Sequence, residues 1–156
     1  MSLGCLFVPS FELAVNLSQH TDFMDDILPP IALCDPDTEE IIDVTFSARK
    51  FGVLPHQTYA QAFGTYPQLR IIEINAVLTK AAFEEFILIA QEVSPVVEKI
   101  SSGFLLMDLK GMDTYFGDVE LLADKIFSLS DVWASKFIRT RTNQNIRSLL
   151  QVHLGI

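Results

Sequence analysis

Three observations predict an α+β fold in which an antiparallel sheet is backed by helices and a small subdomain is inserted near the N-terminus. Short apolar runs of strand length are separated by segments of helical period, and two of the runs flank DPDTEE, a turn-forming stretch. The chain has 156 residues, 49% of them hydrophobic, which is enough for one core of ordinary size. Seven glycines and seven prolines exclude a low-complexity chain, and a mean hydropathy of +0.32 is too apolar for intrinsic disorder.

Cys5 to Val8 reads as a buried strand, stopped by Pro9, with a turn or helix start around Ser10. An acidic stretch from Asp22 to Asp26 and the pair Pro29-Pro30 separate it from the hairpin of Ile31 to Cys34 and Ile41 to Val44. The segment FSARKFG, Phe46 to Gly52, reads as a short helix, and HQTYAQAFG as another that ends at Gly64. Arg70 to Ile74 alternates like a strand. From Pro29 to Asn75 these elements form one small subdomain. The longest helix signal follows, Asn75 to Val93, with Val77, Leu78, Ala81, Ala82, Phe86, Ile89 and Val93 at three- and four-residue steps. Asn75 is its N-cap, and Pro95 ends it. Val96 to Ile100 and Phe104 to Leu109 read as strands joined at Ser101, Ser102 and Gly103. A helix over Val119 to Leu129, a strand over Phe137 to Thr142 and a helix over Gln144 to Leu154 complete the chain.

The formal charge of −9 opposes tight binding of phosphate backbones by this chain alone, although residues 131–156 hold Lys136, Arg139, Arg141 and Arg147 against Asp131. Cys5 and Cys34 lack metal-ligand spacing, so structural zinc is not expected. His20, His56 and His153 are scattered and have no fixed carboxylate or hydroxyl partner, which gives no support to a hydrolytic triad. Neither GxxxxGK nor GxGxxG occurs. The acids Asp35, Asp37, Glu39 and Glu40 lie in connecting segments without calcium-loop spacing. The N-terminus MSLGCLFVPSFE has no basic n-region and no apolar run reaches membrane-spanning length, so a cytoplasmic location without membrane contact is expected. Arg49 and Lys50 have two readings: they complement the C-terminal dipole of a short helix before Gly52, or Arg49 aims its donor fork at a phosphate.

VTFSARKFGV followed by PHQTYAQAFGTYPQL resembles the fingers segment of Y-family (translesion) DNA polymerases, where an "ARxxGV" helix precedes a "P…AxxxCP" pattern. LFVPSF is similar to the first palm strand of that family, PIALCDPD to its fingers hairpin, and SSGFLLMDLKGMDTYFGD to its second catalytic segment. The resemblance covers about residues 5–130. It implies a palm of ferredoxin-like type formed by residues 1–28 and 76–156, with residues 29–75 as the fingers.

The family performs metal-assisted nucleotidyl transfer, in which carboxylates hold two magnesium ions because hard cations take oxygen ligands. By resemblance, its first-strand acid falls at Pro9, beside Ser10 and Phe11, and its Asp-Glu pair at Gly103 and Phe104. All three ligands are missing, so neither catalysis nor a metal cofactor is expected. Asp108 matches an acid of structural role and sits four strand residues, ~13 Å, beyond the pair. Glu12 is the nearest acid to the first-strand position. At the nucleotide-contacting positions of the fingers stand Phe46, which lacks a tyrosine hydroxyl, and Arg49, with Lys50 beside it, so at most a weak nucleotide site is implied.

A Y-family core without its carboxylates resembles the ImuB-like branch of bacterial mutagenesis cassettes, a UmuC-domain branch linked to the SOS response. The resemblance implies a non-catalytic bridge between the sliding clamp and an error-prone or replicative polymerase in DNA repair and translesion synthesis. The alternatives are a residual nucleotidyltransferase using Glu12 and Asp108, or an inert fragment. Family members carry a thumb and a little finger, and this chain is expected to be truncated before both. Finally, Gln151-Val-His-Leu-Gly-Ile156 resembles the short "QLxLGL" clamp-binding peptide, with Gln151, Leu154 and Ile156 at its matching positions. Leu149, Leu150, Val152 and Leu154 read equally well as the buried face of a last helix.

Overall fold

The computed structural model describes residues 3–20, 28–137 and 144–156. The acidic stretch Asp22 to Asp26 lies outside the described residues. Strand β1 (Leu3–Phe7) stops at Pro9, which donates no backbone hydrogen bond, and helix α1 (Phe11–Leu17) begins two residues later. The hairpin β2 (Ile31–Asp35) and β3 (Glu40–Val44) turns where expected, because Asp35 accepts the Asp37 N–H at 2.9 Å. Helices α2 (Phe46–Lys50) and α3 (Tyr59–Thr65) follow, and strand β4 (Arg70–Glu73) lies parallel to β2. This small sheet therefore has the order β3-β2-β4 and is mixed.

Helix α4 (Ala76–Gln91) is capped by Asn75, whose side chain accepts the Leu78 N–H at 3.0 Å. Strands β5 (Val97–Ser101) and β6 (Phe104–Asp108), helices α5 (Asp113–Phe116), α6 (Val119–Ser135) and α7 (Gln144–Leu149), and strand β7 (His153–Gly155) complete the chain. The larger sheet has the order β5-β6-β1-β7, with every neighbouring pair antiparallel. Among the described residues no helix is long and apolar enough to cross a membrane.

Two expectations about the C-terminal part are corrected. The helix predicted to stop at Leu129 runs on to Ser135, because Ile126, Ser130, Trp133 and Ala134 continue its buried stripe. Phe137, predicted to open a strand, instead follows the end of that helix, its N–H bonded to the Ala134 carbonyl and its ring set edge-to-face on Trp133 at 5.2 Å. The rest of that predicted strand lies outside the described residues. The last helix ends at Leu149 rather than Leu154. Beyond it Val152 and Leu154 alternate with polar positions, a period of two, and His153–Gly155 pair with β1.

The larger sheet buries Leu6, Leu105 and Met107 on one face, under α1, α4 and α6. Phe11 lies at the centre of this core, stacked on Trp133 at 5.8 Å between ring centroids and edge-on to Phe83 at 5.5 Å. The small sheet contributes to two cores. Ile31, Leu33 and Ile72 join the main one, while Ala32, Cys34, Ile41, Ala48 and Val53 form a second within residues 29–75. Asn16 joins α1 to the start of α4, donating to Thr79 Oγ1 at 2.9 Å and accepting the Asn75 N–H at 2.7 Å. Every polar group of that buried side chain is thereby engaged, which fixes where the small sheet meets the large one.

Candidate functional site

The antiparallel register of β1 and β6 sets Phe7 opposite Phe104, and the Val8 N–H donates to the Gly103 carbonyl at 2.9 Å. Pro9, Gly103 and Phe104 are thus brought to one end of the sheet from nearly a hundred residues apart in sequence. They line a cleft of about 340 Å³ with Cys5, Phe7, Val8 and the Ser101-Ser102 turn. Among the described residues no carboxylate lines it.

Gly103 occupies a left-handed conformation, φ +77°, and a Cβ built on it would sit 2.5 Å from the Phe11 Cβ and 3.0 Å from the Val8 carbonyl oxygen. The position admits no side chain without backbone movement. Pro9 offers no donor atom, and the Phe104 ring leans edge-on against Phe7 at 5.8 Å. These three residues do not fit a divalent cation, which needs oxygen ligands converging on a point. Among the described residues no group of three or more His, Cys, Asp and Glu side chains could hold a metal ion. Asp108 lies at the far end of β6, opposite Leu3, exposed and accepting the Lys110 N–H at 2.9 Å. It serves a local turn and does not reach the cleft.

A second, smaller cleft of about 190 Å³ adjoins the first, sharing Pro9 and Ser102 with it, and it contains two carboxylates. Glu12 enters from the first turn of α1 and Asp43 from β3. Burial raises the pKa of both, and the negative charge of Asp43 raises that of Glu12 further. At Asp43 the rise is opposed by the Val44 N–H, which donates to its Oδ1 at 2.8 Å, and by the charge of Arg49. Among the described residues no lysine or arginine comes within salt-bridge distance of either acid. Sequence reasoning found Glu12 and missed Asp43. The available signal was an acid set between the apolar Ile42 and Val44 near the end of the strand EIIDV.

Phe46, Arg49 and Lys50 share α2, which is capped by Thr45 and closed by Gly52 at φ +88°. Phe46 is 73% exposed, and the Lys50 ammonium lies 4.9 Å above its ring. Arg49 is exposed and lies on the side of Asp43, so its charge is already partly engaged. At the C-terminus Gln151 is exposed and Ile156 half-exposed, but Leu154 pairs with Leu6 across the β1–β7 ladder and packs on the main core. The three residues of the clamp-like peptide are therefore not presented together.

His56 does have a carboxylate partner, contrary to expectation: its Nδ1 lies 3.0 Å from Glu40 Oε1 on an exposed turn. His153 stacks on Phe7 at 5.1 Å. Cys34 is buried with its thiol against the Tyr59 hydroxyl at 3.0 Å, and burial raises the pKa of both groups. Cys5 and Cys34 are both free thiols.

Comparison with known proteins agrees with this geometry. DNA polymerase IV of Dehalococcoides mccartyi is 26% identical over 118 residues, which is 75% of this chain and 30% of that protein. Among solved structures, a post-insertion binary complex of Dbh DNA polymerase matches with a TM-score of 0.72 over 99% of this chain and 41% of that one, at 14% identity. DinB from Sulfolobus solfataricus matches with a TM-score of 0.71 over 87% and 39%, also at 14% identity. The likeness to these structures establishes the palm-and-fingers fold, and the chain spans well under half the length of the relatives it matches. The model of the impB/mucB/samB family matches residues 6–151, nearly the whole chain, and the protein belongs to that family as a Y-family DNA polymerase-like domain.

Proposed function

We propose that this chain is a non-catalytic Y-family module that serves DNA repair and translesion synthesis as a scaffold, in contact with a replicative or error-prone polymerase. One observation carries this reading: at Gly103 the core has closed over the place where the family pattern puts a metal ligand, with the Phe11 Cβ 2.5 Å from where a side chain would begin. A catalytic site that had only lost its acids would leave room there. This one is filled by the packing of Phe11.

A residual nucleotidyltransferase would need carboxylates around one point. Glu12 and Asp43 share a cleft, but Asp108 is at the opposite end of β6, so among the described residues two acids at most are available there and neither β1 nor β6 supplies them. Two metals bridging a primer hydroxyl and a triphosphate require more oxygen ligands than that. Nor does the retained Arg49 make a triphosphate pocket by itself, since its charge is already partly engaged by Asp43 and a carboxylate beside it repels phosphate. Sliding-clamp binding through Gln151, Leu154 and Ile156 is a further proposal, and it requires β7 to leave β1. The expected result is saturable binding of clamp by a fluorescent peptide of Ser148 to Ile156, weaker binding by the intact chain, and loss of both with Gln151→Ala and Leu154→Ala; no saturable binding by either would remove the clamp as a partner.

Titration with manganese, read as paramagnetic broadening of backbone amide signals, tests the metal half of this reading. The expected result is no broadening localised at Val8 to Phe11 or Ser101 to Leu105. Saturable broadening at both segments would overturn it.

A further inference from the structure

The larger sheet has an outward face that no described element covers. Leu3, Phe7, Phe104 and Leu106 share that face, as the pairing of Phe7 with Phe104 and the burial of the intervening Leu6 and Leu105 require. None of the four packs against either core, and Leu3 is 58% exposed. Among the described residues the carboxylates around this apolar centre have no lysine or arginine beside them on β1 or β6, and the one basic ring on the same face is His153, stacked on Phe7 from β7. Glu98 lies opposite Leu106 on β5, Asp108 opposite Leu3, and Glu12 with Asp43 border the end at Pro9 and Ser102.

We infer that this face docks an apolar segment of another protein flanked by lysine or arginine. Charge complementarity selects that occupant. A nucleic-acid backbone would bring phosphates onto Glu12, Asp43, Glu98 and Asp108, which it cannot neutralise. A second copy related by a two-fold axis would set the acidic rim against itself. A basic-flanked apolar segment instead covers Phe7, Phe104 and Leu106 while its cations meet the rim, and both contributions act together. The inference rests on the scaffold reading and names the chemistry of the partner.

The test uses the full chain and three fluorescein-labelled probes: a peptide with a leucine-rich centre and lysines at both ends, the same peptide with glutamates for lysines, and a short single-stranded oligonucleotide. Binding is read by anisotropy and located by amide shift mapping. The lysine peptide should bind at least about tenfold more tightly than the glutamate peptide and shift the signals of Cys5, Phe7, Phe104 and Leu106, weakening with added salt. Glu98→Lys with Asp108→Lys should reverse the preference between the two peptides. Equal binding of both peptides, shifts elsewhere, tighter binding of the oligonucleotide, or self-association of the chain through this face would each overturn the proposal. Such a failure is distinct from failure of the scaffold reading, which primer extension by the same preparation would reveal.

Discussion

The end of the large sheet and helix α2 of the small one are both places where the family pattern carries chemistry, and they have diverged in opposite ways. At the sheet end Pro9, Gly103 and Phe104 hold no ligand, and the buried Phe11 has closed against Gly103. On α2 the ARK sequence persists, with Arg49 and Lys50 exposed and Ala48 buried, on a helix with its own cap and its own small core. The comparison teaches that a motif survives where the fold also uses it. Thr45 caps α2 through Ala48 and also bonds the Ile31 N–H at 3.0 Å and the Pro29 carbonyl at 3.1 Å, so α2 is kept for architecture whether or not a nucleotide binds.

The largest effects should fall at the sheet end. Phe11→Ala removes the ring that packs on Phe83, Phe86 and Trp133 and should cost about 4 kcal/mol in urea unfolding. Gly103→Asp should cost about 3 kcal/mol, from left-handed strain together with overpacking. Combining the two should bring little rescue, because alanine removes the Phe11 Cγ at 2.9 Å but retains the nearer Cβ at 2.5 Å, and the Val8 carbonyl stays at 3.0 Å. A double variant much more stable than Gly103→Asp alone would show that the ring, not the backbone, closes the site.

The contrasting element should respond through its cap. Thr45→Ala leaves the buried Ile31 N–H and the Ala48 N–H without their side-chain acceptor and should cost about 2 kcal/mol, whereas Arg49→Ala should cost at most about 0.5 kcal/mol. Equal losses would mean that Arg49 also holds the structure, and its persistence would then need no other cause.

A smaller effect links the two regions, since Glu12 belongs to α1 and Asp43 to β3. Both folded pKa values are raised, so the native state binds these protons more tightly than the unfolded chain does. The pair therefore costs nothing at pH below the ordinary values of 4.5 and 3.8. It lowers stability progressively as pH rises from those values through the raised ones. Glu12→Gln with Asp43→Asn should gain stability relative to wild type over that same interval, read as the difference between their urea midpoints against pH. A difference that is flat with pH would mean that the two acids do not sense their burial.

Much of the fold was legible because its signals are local. Asp35 and Asp37 announce the hairpin, Asn75 and Pro95 bracket α4, and the apolar runs of β1 and β6 are strong enough to read as strands. The segments that were misread depend on distant partners. Three residues, His153–Gly155, form a strand only because β1 offers them an open edge, and α6 reaches Ser135 because Trp133 finds Phe11 and Phe86. At the site, resemblance placed Pro9, Gly103 and Phe104 at positions the register then brought together. Neither the closure by Phe11 nor the meeting of Glu12 with Asp43, 31 positions apart, could be seen without the packing of the two sheets.

The central claim is that the polymerase chemistry has been lost by closure of the site, and primer extension tests it most directly. The full chain is incubated with primed template, all four deoxynucleotides and magnesium or manganese, and the products are resolved by length. The account predicts no extension above a control without protein, for wild type and for Gly103→Asp with Phe104→Glu alike, since Pro9 would still lack a ligand. Template-directed extension by the wild-type chain that is abolished by Glu12→Gln would contradict it.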